Sequence, residues 1–363
     1  MRVLQMVDTL HPGGAERMAL NLTNSLVRSI EFSRICITRK EGLLSAQIKP
    51  EAGYIFLEKK NIFDLKAILK LHKYIRKKKI QILHTHGTSF FLGCLIKLLN
   101  PRLKLVWHDH YGNRAVKKIT ELPVLYICSF LFNGIIVVNK ELLKWANTNL
   151  LSKNIRYLPN FLTNEFSKRH IDHSQESEAW NLICIANLKT PKNHLNLLKA
   201  FKIVLKKYPQ CNLYLIGEKY NNKYERQIDV FLAENNLQKK VFLTGEVSNV
   251  DLYLGIAKLG VLSSDSEGLP MALLEYGIAG LPVVCTDVGE CSGIIGNYGK
   301  IVAVNNPDAL AKGIMYYIEN EEARKRDAEN FNKFIGVNFS EEKIIAKFMG
   351  FYNAFKTSNK YDT

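Results

Sequence analysis

The chain has 363 residues, too many for one ordinary hydrophobic core, so two domains are expected. It is 47% hydrophobic and 23% charged, with 22 glycines and 10 prolines, a composition that excludes disorder, collagen-like repeats and low-complexity sequence. The net charge of +16 is lopsided: residues 1–170 carry +17 and residues 171–363 carry −1, so one half is built to face something anionic.

Residues 1–8 hold one basic side chain and an apolar run too short for a signal peptide; they predict a buried first strand. The loop over 8–17 carries Gly13 and Gly14 and leads into a helical run ending at Leu26. Paired glycines let a backbone approach a ligand closely, and the helix N-terminus behind them favours anions, although a tight turn alone looks the same. Neither G-x-G-x-x-G nor G-x-x-x-x-G-K-S/T occurs, so dinucleotide and P-loop sites are not supported. After a strand at 35–38, the helix predicted over 65–78 sets Lys66, Lys70, Lys73 and Lys77 in one narrow stripe. Leu65, Ile68, Leu69, Leu71 and Ile75 are expected to face away from it. Such a stripe gains roughly 1 kcal/mol per residue beside an anionic leaflet. A solvated face and a nucleic-acid partner are the other options. With no interleaved aromatics and no nucleic-acid module, an anionic membrane surface is expected and nucleic acid is not.

Strands predicted at 80–83 and 104–107 are each followed by paired histidines, His84-Thr85-His86 and His108-Asp109-His110. On an extended segment H-x-H puts two imidazoles on one side, and four such groups raise metal-dependent hydrolysis as a rival chemistry. No carboxylate beyond Asp109 accompanies them and no D-x-D occurs to hold a metal diphosphate, so no metal ligand is assigned. Residues 122–138 are interrupted by Pro123, Ser129, Asn133 and Gly134 and fall short of the roughly 20 apolar residues of a membrane span. They predict a buried helix ending at Asn133-Gly134, then a strand at 135–138. Residues 163–178 are polar and lack apolar spacing, which marks a linker. The seven cysteines are scattered and never spaced C-x-x-C, against a disulfide scaffold or a structural zinc module.

The second half repeats the alternation, with strands at 182–185, 213–216, 260–262 and 282–285. Runs apolar throughout suit parallel strands covered on both faces, and their alternation with helices implies α/β, doubly wound domains. Ligands of such sheets bind outside the carboxyl ends of the strands. Lys192 closes the loop after 182–185, where an ammonium can neutralise a leaving diphosphate; an ordinary surface lysine is the plain alternative. After 260–262 comes Ser263-Ser264-Asp265-Ser266-Glu267-Gly268-Leu269-Pro270-Met271, with Pro270 pre-set for the first turn of a helix whose positive end faces outward. Its amides suit a phosphate. Glu267 and Glu275, the latter pointing out of the second turn, can each accept hydrogen bonds from a diol, and a nucleotide sugar presents both kinds of group. The last helix, over 340–355, carries Ile344, Ile345, Phe348, Met349, Phe351, Tyr352 and Phe355 on a broad face that needs a partner.

Together these segments resemble the family-4 retaining glycosyltransferases over nearly the whole chain. The likeness rests on Glu267 and Glu275 with seven residues between them and Gly268-Leu269-Pro270 inside. It rests also on Lys192-Asn193 followed by Leu197, Leu198, Ala200 and Phe201, on Leu158-Pro159-Asn160, and on Gly13-Gly14. The resemblance implies the GT-B fold, two doubly wound Rossmann-like domains facing across a cleft. It implies that Lys192 holds the diphosphate, Glu267 the sugar hydroxyls and Glu275 the ribose diol, while His108 lies by the sugar. His108, Lys192 and Glu267 would then be the catalytic set. Gly14, Asn187, Gly268, Leu269, Pro270 and Met271 complete the donor site, and Gly13, Gly14, Glu16, His84 and His86 stand on the acceptor side. Two positions depart from the family pattern: Asn187 replaces a common arginine and Gly293 a common glutamate.

The resulting expectation is an acceptor-binding domain over 1–165, a linker over 166–178, and a nucleotide-sugar domain over 179–340. A C-terminal helix over 341–363 is expected to pack back across the junction. The expected activity is retaining, metal-independent transfer of a hexose from a nucleotide-diphosphate sugar, UDP-sugar favoured, with no cofactor. The acceptor would be a lipid-linked or surface-polysaccharide precursor, met by a cytoplasmic protein peripheral to the inner face of the cytoplasmic membrane. A nucleotide-sugar epimerase or phosphorylase on the same fold, or a catalytically weak binding subunit, are the alternatives.

Overall fold

The computed structural model describes residues 1–167, 179–247 and 249–357. Of the expected linker, residues 168–178 lie outside the described residues. The chain divides into two compact units, Met1–Thr163 together with the C-terminal helix, and Asn164–Ser340.

In the first unit β1 (Arg2–Thr9), β2 (Phe32–Lys40), β3 (Tyr54–Phe56), β4 (Ile82–His86), β5 (Lys104–Asp109), β6 (Gly134–Val137) and β7 (Ile155–Tyr157) form one parallel sheet. Their order is β3-β2-β1-β4-β5-β6-β7. Val3, Leu4, Met6, Ile35, Cys36, Ile37, Ile135, Ile136 and Val137 are all buried, because both faces of the central strands are covered and every side chain meets a packed layer. The helix Glu341–Thr357 returns to this unit and supplies one of those layers. Ile344, Phe348, Phe351 and Tyr352 pack with Val3, Met18, Leu22, Ile82, Val106 and Phe161, which gives the broad apolar face its partner.

In the second unit β8 (Trp180–Ile185), β9 (Cys211–Ile216), β10 (Val241–Gly245), β11 (Leu259–Leu262), β12 (Val283–Thr286) and β13 (Lys300–Val302) form a second parallel sheet, ordered β10-β9-β8-β11-β12-β13. The order outward from the first strand is that of a doubly wound nucleotide-binding sheet. Gly260 has a local reason: a Cβ there would lie 2.5 Å from the ring of Tyr276. That hydroxyl accepts from Ile185 N at 2.7 Å and so ties the helix Met271–Ile278 to β8.

Several expectations are corrected. The apolar runs do not predict β3, β7, β10 and β13, and these are the edges of the two sheets. An edge strand is open on one side, so each of these short segments holds at most one fully buried residue and none shows the long apolar run of a central strand. The helix Leu65–Lys77 buries Ala67, Ile68, Leu71 and Ile75, whereas Leu65 and Leu69 are exposed. At about 100° per residue these two leucines fall between the buried line and the lysine stripe. Residues 122–133 form only the helix Pro123–Ser129, and it is half-exposed: Leu125 and Cys128 face inward while Val124, Ile127 and Phe130 face out. No helix among the described residues is long and apolar enough to cross a membrane.

The last helix is expected to carry much of the first unit's stability. Phe348→Ala, which empties a fully buried position, should cost about 3–5 kcal/mol in chemical denaturation. A loss under about 1 kcal/mol would mean that this face is not part of the core.

Candidate functional site

The strand order of the second unit reverses between β8 and β11, where an open parallel sheet leaves a crevice at its carboxyl edge. Lys192 comes from the loop after β8 and Glu267 from the loop after β11, and the two meet. Lys192 Nζ donates to Glu267 Oε1 at 2.7 Å, and Ser264 Oγ donates to the same oxygen at 2.6 Å. Ser263 Oγ donates to the carbonyls of Lys192 and Asn193 at 3.2 and 3.1 Å, and Asp265 N donates to Pro191 O at 2.8 Å. Asn193, left-handed at φ 47, caps the helix His194–Lys207 by accepting from Asn196 N; its amide donates to Asp265 Oδ1 at 2.6 Å. At the end of β12, Thr286 Oγ1 donates to Ser264 O at 2.6 Å. Three strand-to-helix loops are thereby laced into one surface. The Glu267 side chain is 7% exposed and that of Lys192 23%, so the carboxylate is enclosed and the ammonium reaches solvent.

Glycine decides how close these loops come. Gly289, at φ +56, follows β12, and a Cβ there would run into the carbonyl oxygens of Glu267 and Gly268. Glu290 N donates to Gly268 O at 3.1 Å and holds that approach. Pro270 is the N-cap, so the helix starts at Met271, one residue later than the sequence suggests. Residues 268–271 are buried, and Glu275, expected to point outward, is buried in the second turn. Asn187 is engaged locally: its Oδ1 accepts from Glu218 N at 2.9 Å and its Nδ2 donates to Tyr220 Oη at 3.4 Å. The nearby Lys189 ammonium lies 5.3 Å from the centre of the Tyr220 ring. Sequence reasoning passed over Ser264, Thr286 and Gly289. Their only signal was position, hydroxyls at the carboxyl ends of apolar strands and a glycine in the following loop.

In the first unit Gly13 caps the helix Gly14–Leu26 in extended backbone, with Gly14 exposed and Glu16 half-buried in the first turn. Lys66, Lys70, Lys73 and Lys77 are exposed, and Lys70 Nζ donates to Phe56 O at 2.7 Å. The histidines expected to face substrate are enclosed instead: His84, His86 and His108 are 0%, 3% and 0% exposed. β4 and β5 are neighbours with His86 opposite His108. The rings of His84 and His86 stack with centroids 4.5 Å apart, and those of His108 and His110 lie tilted at 4.0 Å. Burial first, then the neighbouring imidazoles, push His84, His86 and His108 well below the usual histidine range, so all three are neutral bases at pH 7. Asp109, raised by burial, is turned away from them to Arg114 Nε, 2.6 Å from its Oδ2.

Residues 12–165 match the profile described as Glycosyltransferase Family 4, and residues 166–334 match Glycosyl transferases group 1. The chain belongs to the family-4 GT-B glycosyltransferases. Among solved structures, this glycosyltransferase is similar to HepE of Anabaena in complex with UDP and glucose, at a TM-score of 0.86 and 14% identity, covering 98% of this chain and 100% of that one. Sucrose-phosphate synthase of Thermosynechococcus elongatus superimposes with a TM-score of 0.81 at 15% identity, over 99% and 100% of the two chains. Among curated relatives, the capsular polysaccharide biosynthesis glycosyltransferase CapH of Staphylococcus aureus is 24% identical over 80% of this chain and 83% of its own length. The O-antigen biosynthesis glycosyltransferase WbnH of Escherichia coli is 24% identical over 90% of this chain and 94% of its own.

Two of the left-handed glycines of the second unit separate backbone strain from collision. Gly280, at φ +67, has open space around its would-be Cβ, and Gly289 does not. Gly280→Ala should cost only the left-handed penalty of about 1–2 kcal/mol. Gly289→Ala should cost clearly more in the same denaturation experiment, because the Glu267 loop must move. Equal costs would mean that the loop yields freely.

Proposed function

We propose that this glycosyltransferase moves a hexose from a UDP-sugar, with retention at the anomeric carbon, to a lipid-linked or surface-polysaccharide precursor. The observation that carries the proposal is the half-exposed Lys192 ammonium fixed beside the enclosed Glu267 carboxylate at the N-terminal end of the helix Met271–Ile278. A positive group and a helix terminus together suit a diphosphate, and a fixed carboxylate suits sugar hydroxyls. UDP and glucose come from the description of the HepE structure, and the class of acceptor from those of CapH and WbnH.

In this scheme the bond from the anomeric carbon to the phosphate oxygen breaks with its electron pair passing to the diphosphate. Lys192 and the backbone N–H groups of Gly268, Leu269 and Met271 stabilise that developing charge, so no ion is needed at the diphosphate. The acceptor hydroxyl approaches the same face of the short-lived sugar cation. Its proton passes to the departing phosphate oxygen as the new bond forms. Glu267 orients the sugar and Glu275 the ribose diol. Asn187, occupied with Glu218 and Tyr220, shapes the loop, and Lys189 is the cation left to stand in for the family arginine. No cofactor takes part.

The charge of +17 over residues 1–170 supports an acceptor met at an anionic membrane surface. The four exposed lysines of the helix Leu65–Lys77 support this, as do Ile62, Phe63, Leu65 and Leu69, exposed beside them. Apolar side chains flanking a basic stripe match the polar–apolar boundary of a bilayer.

With a panel of UDP- and GDP-sugars, Glu275→Ala should weaken donor binding by roughly 10- to 100-fold in calorimetry, the loss of a charged hydrogen-bond acceptor. Lys192→Ala should act mainly on turnover, slowing transfer by roughly 100-fold or more. Unchanged binding and turnover in both variants would remove the site from the proposal. Replacing Lys66, Lys70, Lys73 and Lys77 together by glutamine should abolish sedimentation with phosphatidylglycerol vesicles at low salt. Undiminished binding would move the membrane contact elsewhere.

A further inference from the structure

We infer that the first unit binds a divalent transition-metal ion of the zinc class between His84 and His86 of β4 and His108 of β5. The site lies in the first unit and does not rest on the donor site proposed for the second. Two imidazoles at alternate positions of one strand and a third on its neighbour point to one side of the sheet, and one nitrogen from each ring lies within 4.8 Å of the others. A tetrahedral ion with Zn–N bonds near 2.1 Å wants those atoms roughly 3.4 Å apart, a closure that imidazole side-chain rotation supplies.

The unmet hydrogen-bonding capacity is concentrated here. His84 Nε2, both nitrogens of His108 and His110 Nδ1 are buried without a partner. An orphaned buried polar atom is costly, and ring stacking does not satisfy a lone pair. The outer partners are those of metal-bound histidines. Gln5 Oε1, which can only accept, is 2.9 Å from His86 Nε2; the proton therefore sits on Nε2, and Nδ1 keeps its lone pair. His84 Nδ1 is 2.6 Å from the hydroxyl of Tyr352, and donation to that oxygen leaves Nε2 as a ligand. Gln5 Nε2 also reaches the Tyr352 hydroxyl, at 3.4 Å, so one small network orients both rings.

The chemistry of the donor set selects the ion. All three groups are imidazoles, and Asp109 is committed to Arg114 and to Tyr111 N. A site of imidazoles without oxygen ligands favours Zn2+, Co2+ or Ni2+ over Mg2+ or Ca2+. His86 Nδ1 accepts from His110 Nε2 at 3.0 Å, so His110 must turn aside for that lone pair to reach an ion; its own unpartnered Nδ1 makes His110 a fourth candidate ligand. An ion here would join β4 to β5 beneath the helix Glu341–Thr357, a structural role.

The test uses the full-length protein, stripped with chelator and titrated with Co2+. One equivalent per chain should produce the visible absorption of a tetrahedral nitrogen site, and Zn2+ should raise the thermal midpoint. The double variant His84→Gln with His108→Gln should lose both responses while His11→Gln keeps them. No uptake by the folded wild type, or uptake unchanged in the double variant, would overturn the inference. Should the double variant fail to fold, X-ray absorption on the zinc-loaded wild type decides: imidazole scattering from about three ligands supports the site, and an oxygen-only shell refutes it.

Discussion

The carboxyl edge of the second sheet depends on one ion pair, Lys192 with Glu267. A carboxylate as enclosed as Glu267 must be compensated, and the compensation comes from two directions, an ammonium from the loop after β8 and a hydroxyl from the end of β11. Such a pair adds little net stability, because desolvation offsets much of the attraction. What it confers is position. With Ser263 bonded to the backbone beside Lys192 and Thr286 bonded to Ser264, neither charge can move without the loops around it. In the proposed complex an incoming diphosphate competes for the lysine, and sugar hydroxyls take its place on the carboxylate. The donor would then enter a site whose charges are already held in place, which is how preorganised electrostatics lower a barrier.

Hydroxyl lacing at a strand-order reversal occurs in both units. In the first, the reversal lies between β1 and β4. Thr88 Oγ1 donates to Asp8 Oδ2 at 2.6 Å and Ser89 Oγ to Met6 O at 2.8 Å, binding the segment after β4 to the end of β1. The charges of the two units differ as their proposed ligands do. The donor site needs one cation at a fixed place, whereas a membrane surface is met by many cations on mobile side chains. The excess of lysine and arginine accordingly lies in the first half of the sequence.

The central strands were legible because burial on both faces demands an unbroken apolar run, as in 135–138 or 182–185. The edges β3, β7, β10 and β13 were not, since an edge strand needs only half of that pattern. Lys192, Glu267 and Glu275 were legible as polar groups beyond strands of a parallel sheet. Gly289 was not, because the carbonyl it must clear belongs to Glu267, 22 positions earlier, and no local spacing records that contact. The histidines divide the same way. Alternation along β4 put His84 and His86 on one face, but their burial depends on Tyr352, which meets His84 across 268 positions of sequence. Leu65 and Leu69 show the limit of a helical wheel: hydrophobicity marks a broad apolar side, and only packing decides where its margin is.

The most direct measurement of the central claim is a crystal structure of the protein with UDP-glucose bound. The account predicts the diphosphate within hydrogen-bonding distance of Lys192 Nζ and the amides at the start of the helix Met271–Ile278, with hexose hydroxyls on Glu267. A donor bound away from these groups, or a diphosphate that leaves the ion pair of Lys192 and Glu267 untouched, would contradict it.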